Sequence, residues 1–129
     1  MEKGKDLRLK ETLFPDCPVR NILARVGDKW SLLLMHQLLC HDRPMRFADL
    51  RKALPDISQK MLTATLRNLE ADGFLIRTVF AEVPPRTEYV LTPRARSFME
   101  ACRPMVQWAM DHFAAIVKDR QAYAARSRK

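Results

Sequence analysis

Glycine is scarce in this 129-residue chain, with three in all and no two close together. That excludes the glycine-rich loops that cradle phosphates through backbone N–H groups, and the nucleotide-dependent enzymes built on them. Cysteine is equally sparse: Cys17, Cys40 and Cys102 lie far apart without a CxxC spacing. An odd number without paired spacing argues against a disulfide scaffold or a structural zinc site. His36 and Cys40 have the four-residue spacing of a metal pair, but no third and fourth ligand accompany them. No Ser/His/Asp or paired-carboxylate spacing stands out either. The expectation is a protein that is not an enzyme and carries no cofactor and no metal.

Long apolar runs are also missing. The longest, WSLLLMHQLLC, falls short of the roughly 20 residues that a membrane helix needs. The charged start MEKGKDLRLKETLF is unlike a signal peptide. A reducing cytoplasm is the expected compartment, with no membrane contact.

What the chain has in excess is positive charge: +8 overall, with a pI near 9.9. Such a balance calls for an anionic partner, nucleic acid first and a membrane surface second. Part of it sits in the tail after Val117, KDRQAYAARSRK, which is short of large aliphatics and expected to fray. The segment from Arg43 to Arg96 is basic as well, with ten Lys/Arg against six Asp/Glu. With 47% hydrophobic and 29% charged residues, the chain suits one globular domain.

Periodicity divides the chain. Residues 1–16 lack a clear period and read as an N-terminal arm. Cys17-Pro18 opens a helix, since proline suits the first helical position, and Val19, Ile22, Leu23 and Val26 follow at helical spacing. Gly27 ends it and Asp28 caps the next helix, where Trp30, Leu33, Leu34 and Leu38 form a stripe read as core. Cys40 and Cys102 also fall on apolar stripes and are expected in the core. Met45 and Arg46 suit a very short strand. Phe47, Leu50 and Leu54 mark a short helix ended by Pro55, and Ser58 caps another that Gly73 closes. Ile57 and Leu62 hold the positions of a hydrophobic staple across that cap. Leu75 to Ala81 and Thr87 to Leu91 alternate as strands around a stiff EVPPR loop. Thr92-Pro93 starts a long helix bearing Phe98, Cys102, Met105, Ala109, Phe113 and Ile116 at steps of three and four. Pro104 lies inside it and is expected to kink or split it. This order is mostly α with a small β-hairpin: a winged helix-turn-helix flanked by terminal helices.

The helix after Ser58 carries the chemistry. At 100° per residue, Leu62, Leu66 and Leu69 face inward. Opposite them lie Lys60, Thr63, Ala64 and Arg67, while the acids Glu70 and Asp72 are confined to the last turn. Small side chains let a backbone approach the major groove, long cations reach guanine edges or phosphates, and methyls meet thymine. Ser58 and Gln59 place free N–H groups and positive dipole charge where a phosphate could sit. Taken alone, such a flank also suits a solvated helix. The short preceding helix, the tight turn and the hairpin that follows make the combination more specific. Arg86 is expected to project from the Pro-Pro tip toward a flanking minor groove or backbone, and Arg46 to join the same footprint.

Over Cys17 to Trp108 the chain resembles the HxlR-type winged helix-turn-helix transcriptional regulators, relatives of the MarR group. The matching stretches are CPV (17–19), GDKWSLLL (27–34), RF-ADL (46–50), LPDISQKMLTATLRNLEADG (54–73) and VPPRTEYVLT (83–92). Ala95 departs from the family's LTPxG pattern, where many relatives have glycine, and is expected to affect helix packing. The resemblance implies a homodimeric repressor or activator on a pseudo-palindromic operator in double-stranded DNA, hence a nucleoid-associated protein. It implies that Ser58–Asp72 is the recognition helix and that terminal helices form the dimer interface.

The apolar stripe agrees, since Phe98, Met105, Trp108, Ala109, Phe113 and Ile116 offer more surface than a small winged domain covers. The helix could instead fold back on its own domain; shared burial with a second copy is the reading favoured here. The expected organisation is an arm at 1–16, a winged domain with its dimerisation helices at 17–117 and a basic tail at 118–129. Cys17, ahead of Pro18, lies where a helix dipole favours the reactive thiolate. It matches a cysteine found in many members of that family, several of which resemble thiol sensors, and is the candidate for control by an oxidant or electrophile. The reading open beside it is an inert, half-buried cysteine. An alternative from another class is a basic winged-helix module that docks protein or RNA without operator recognition.

Overall fold

A computed structural model describes residues 17–128; the expected N-terminal arm lies outside them. Its elements are α1 (Pro18–Val26), α2 (Lys29–His41), β1 (Met45–Arg46), α3 (Phe47–Ala53), α4 (Gln59–Ala71), β2 (Leu75–Phe80), β3 (Arg86–Leu91) and α5 (Pro93–Ser127). The strands form one antiparallel sheet in the order β1-β3-β2. The expected short strand therefore exists, and it extends the hairpin to three strands by pairing Met45 with Tyr89 and Arg46 with Glu88.

The described residues divide into two compact units, one ending at Arg96 and the other beginning at Ser97. The first has its core between α2, α3, α4 and the sheet: Leu34, Met35, Leu38, Met45, Leu50, Ile57, Leu62, Leu66, Leu69 and Leu91 are all buried. Ser58 caps α4, its Oγ accepting the Met61 N–H at 3.0 Å. The staple residues Ile57 and Leu62 are both buried.

At the other end, α4 closes in a Schellman arrangement. Phe74 N–H reaches the Leu69 carbonyl at 2.8 Å and Gly73 N–H the Glu70 carbonyl at 3.1 Å. Gly73 has φ +81, a backbone state that costs glycine nothing. Thr92 links this corner to α5, its Oγ1 donating to the Gly73 carbonyl at 2.7 Å and accepting the Ala95 N–H at 3.2 Å. Ala95 is fully buried.

The expected helix after Cys17-Pro18 exists, and in it only Val26 is buried; Val19, Ile22 and Leu23 face solvent. Other expectations need correction. In α2 the buried positions are Ser31, Leu34, Met35 and Leu38, so Leu33 is outside the core and Met35 inside it. Apolar residues surround α2 on most sides, and periodicity alone cannot choose its inner face. Cys40 is exposed, its Sγ 3.4 Å from His36 Nε2. Among the described residues no group of three His, Cys, Asp or Glu could hold a metal ion.

The second unit holds most of α5, a single 35-residue helix with Pro104 inside it. Pro104 does not split it. The proline forfeits one backbone bond, and long helical segments on both sides sustain the ladder cooperatively. Fraying after Val117 is not seen either. Ala, Arg, Lys and Gln, which dominate 118–127, are strong helix formers without any apolar stripe. Among the described residues, no helix is long and apolar enough to cross a membrane.

Candidate nucleic-acid interface

The turn between α3 and α4 is tight. Leu54 N–H reaches the Leu50 carbonyl at 3.0 Å and Ile57 N–H the Leu54 carbonyl at 3.1 Å. Arg51 Nη1 donates to Gln59 Oε1 at 3.3 Å, bracing one helix against the other. With Leu62, Leu66 and Leu69 buried, α4 presents Lys60, Ala64 and Arg67 to solvent and Thr63 half-buried beside them. The same flank forms a shallow concavity lined by Gln59, Lys60, Thr63, Ala64 and Arg67. Among the described residues, neither Lys60 nor Arg67 has a carboxylate within ion-pair distance. Ser58 takes only the third N–H of the helix, so those of Gln59 and Lys60 have no intrahelical acceptor.

A second concavity, about 390 Å³, runs from this flank to the sheet and is lined by Phe47, Thr63, Arg67, Glu70, Arg77 and Tyr89, among others. Arg77 Nε sits 3.3 Å from Glu70 Oε1. Burial pushes the Tyr89 hydroxyl above its usual range, partly offset by the Arg77 guanidinium. A third, about 360 Å³, separates Arg46, Phe47 and Ala48 from the wing residues 82–87. Arg46 is exposed there, its own N–H held by Asp49 Oδ2 at 3.0 Å.

The wing arginine differs from expectation. Arg86 opens β3 rather than projecting from the tip. Its Nη2 lies 3.1 Å from Glu82 Oε2 and its Nε 3.4 Å from Glu88 Oε2. Its guanidinium stacks 4.0 Å from the ring centroid of Phe80, its cross-strand partner. Two carboxylates thus outnumber the one cation, and the loop's own chemistry captured the side chain. Glu82, Val83, Pro84 and Pro85 are exposed at the tip.

A family model described as HxlR-like helix-turn-helix matches residues 25–116. The chain belongs to that family. It is 41% identical over 95 residues to the uncharacterized HTH-type transcriptional regulator YdeP of Bacillus subtilis, across 74% of this chain and 73% of YdeP. Among solved structures it is similar to the redox regulator HypR in its reduced form, with TM-score 0.72 and 35% identity over 79% of this chain and 99% of HypR. It is also similar to diamide-treated YodB from B. subtilis, with TM-score 0.64 and 32% identity over 74% and 93% of the two chains.

As an HxlR-like regulator, the chain keeps its other candidate residues on the terminal helices. Cys17 is the N-cap of α1, half-buried and free, in a backbone state outside the helical region. Met105, Trp108, Ala109, Phe113 and Ile116 are exposed along α5, and Phe98 is half-buried. Trp108 stacks on His112 at 4.1 Å between ring centroids. Burial pushes the Cys102 thiol above its usual range.

Reading the sequence alone missed three features of the site. Arg77 and Glu70 are one, because no periodicity tells which helix residue a strand arginine meets. Lys29 is another: its Nζ lies 4.6 Å from the Trp30 ring centroid, beside a concavity shared with Met61, Ala64 and Asn68 of α4. The third is Met61, an exposed large apolar residue on α4.

Proposed function

We propose that the protein is a sequence-specific transcriptional regulator that binds a pseudo-palindromic operator in double-stranded DNA as a homodimer. The observation that carries this is the α4 flank: two exposed cations, each without a carboxylate partner among the described residues, separated by small side chains. In a major groove, Lys60 and Arg67 meet guanine edges or phosphates, and the Thr63 and Ala64 methyls meet thymine. The start of α4, at Ser58 and Gln59, docks a phosphate. Arg46 and the wing residues flank the backbone on the other side. Two copies joined through α5 set their α4 helices in successive grooves, with half-sites about one helical turn apart. No step calls for a cofactor, a metal or bond-making chemistry, and the protein works in the cytoplasm on the nucleoid.

Selection from a random duplex pool, followed by titration at increasing salt, tests this. One two-fold-related site is expected to emerge, bound at least about 10³-fold tighter than random DNA, with a steep salt dependence. Salt-sensitive binding without any preferred site would reduce the protein to a basic docking module.

The wing is expected to act on all sequences alike. Arg86→Ala leaves Glu82 and Glu88 without their shared cation, so operator and random affinity are expected to fall together as the wing turns more negative. An unchanged affinity removes the wing from the footprint.

Cys17 is the thiol through which we infer control by oxidants or electrophiles. Its N-cap position on α1 and the chain's similarity to a redox regulator support this reading. Modification there would bias the dimer and hence DNA affinity. Cys17→Ser is expected to bind the operator as the unmodified protein does and to lose the response to diamide or a quinone in a mobility-shift assay. A serine variant that still responds moves the sensor to another cysteine.

A further inference from the structure

Both acids that end α4 are met by cations from other elements. Glu70 is held by Arg77 of β2 at 3.3 Å. Asp72 lies 4.0 Å from Arg25 of α1, and its carbonyl accepts from Arg94 at 3.0 Å. The first pair matters for recognition because Glu70 follows Arg67 by three residues. Side chains at that spacing meet on a helix, and an Arg and a Glu placed so attract one another. Arg67, Glu70, Arg77 and Tyr89 also line a single concavity, so the two arginines compete for one carboxylate at close range. The structure gives it to Arg77. Arg77 comes from an edge strand, in register with Tyr89.

We propose that Arg77 is a positioning residue for DNA recognition: by holding Glu70 it keeps the Arg67 guanidinium available to the duplex. It also cancels a carboxylate charge that would otherwise face the phosphates. The proposal rests on the reading of α4 as the recognition helix. An exposed pair of this kind adds little to stability, so its value lies in where it leaves Arg67.

Four proteins test this: wild type, Arg77→Gln, Glu70→Gln and the double variant. Each is titrated with the selected operator and with random duplex. Arg77→Gln is expected to weaken operator binding by about fivefold, while the same substitution in the Glu70→Gln background changes it by less than about twofold, the signature of coupled neighbours. The double variant has the wild-type net charge and is expected to return to near wild-type affinity and salt slope. Thermal midpoints of all four should agree within a few degrees. A second arm needs no DNA: the Arg67 Nε–Hε resonance, expected to show fast guanidinium rotation in wild type and restricted rotation in Arg77→Gln. An equal loss in both backgrounds would make Arg77 a direct DNA contact and overturn the proposal, as would an Arg67 signal indifferent to Arg77. If wild type selects no operator, the recognition-helix reading fails by itself, and the resonance arm still decides whether Arg77 keeps Glu70 from Arg67.

Discussion

Arg67→Ala is expected to weaken operator binding by about 1–3 kcal/mol, roughly fivefold to 150-fold, and to relax the preference for one base pair in each half-site. Random DNA should lose much less. The physical ground is that Arg67 stands exposed at the C-terminal end of the α4 flank with no carboxylate held against it among the described residues. Little desolvation or bond breaking inside the protein then offsets a fork-shaped contact to guanine O6 and N7. Truncation should leave the fold intact, because α4 is anchored on its opposite side by Leu62, Leu66 and Leu69. Arg67→Lys sharpens the test. It keeps the charge and loses the two-pronged geometry, so a base-reading role predicts that Lys rescues random binding but not the operator preference. Equal losses on both DNAs would demote Arg67 to a phosphate contact and shift base reading toward Lys60 and Thr63.

This flank was legible in the sequence because α4 is short, strongly two-sided and punctuated at both ends. Ser58, the Ile57–Leu62 staple and Gly73 each have a local physical job, and local jobs can be read locally. The same holds for Thr92-Pro93 and for the strand boundaries. Legibility failed where the outcome depended on competition or on a missing partner. Arg86 looked like a free cation at a tip until Glu82, Glu88 and Phe80 were brought around it. Glu70 pairs with Arg77 of β2, a partner 7 residues on that the helical period of α4 does not point to. Cys40 and Leu33 sit on a helix that is apolar nearly all round, so spacing defines no single inner face. In α1 the period identified an apolar face correctly but not what covers it: Val19, Ile22 and Leu23 are uncovered. Beyond Val117 the stripe stops, yet intrinsic propensity carries the helix to Ser127.

The uncovered apolar face of α5 supports the largest effect. Met105 is 52% exposed, Trp108 55%, Phe113 67% and Ile116 49%. Burying one such side chain fully is worth about 1.5–3 kcal/mol, and in a two-fold interface each is counted on both copies. Exposed apolar residues at steps of three to five along one helix face are what a self-complementary seam needs, and they are a liability if left in water. Phe113→Asp is therefore expected to convert a dimer to a monomer in sedimentation measurements. It would set two carboxylates against apolar surface with no cation to pair them. Because Phe113 is solvent-exposed in the single chain, the thermal stability of residues 17–96 should hardly change. Operator affinity should fall by about 10²–10⁴, the advantage lost when two linked half-sites are bound one at a time. A duplex bearing one half-site should bind wild type and variant alike. If Phe113→Asp stays dimeric with full operator affinity, the two copies join elsewhere, and the exposed Val19, Ile22 and Leu23 of α1 become the next face to charge.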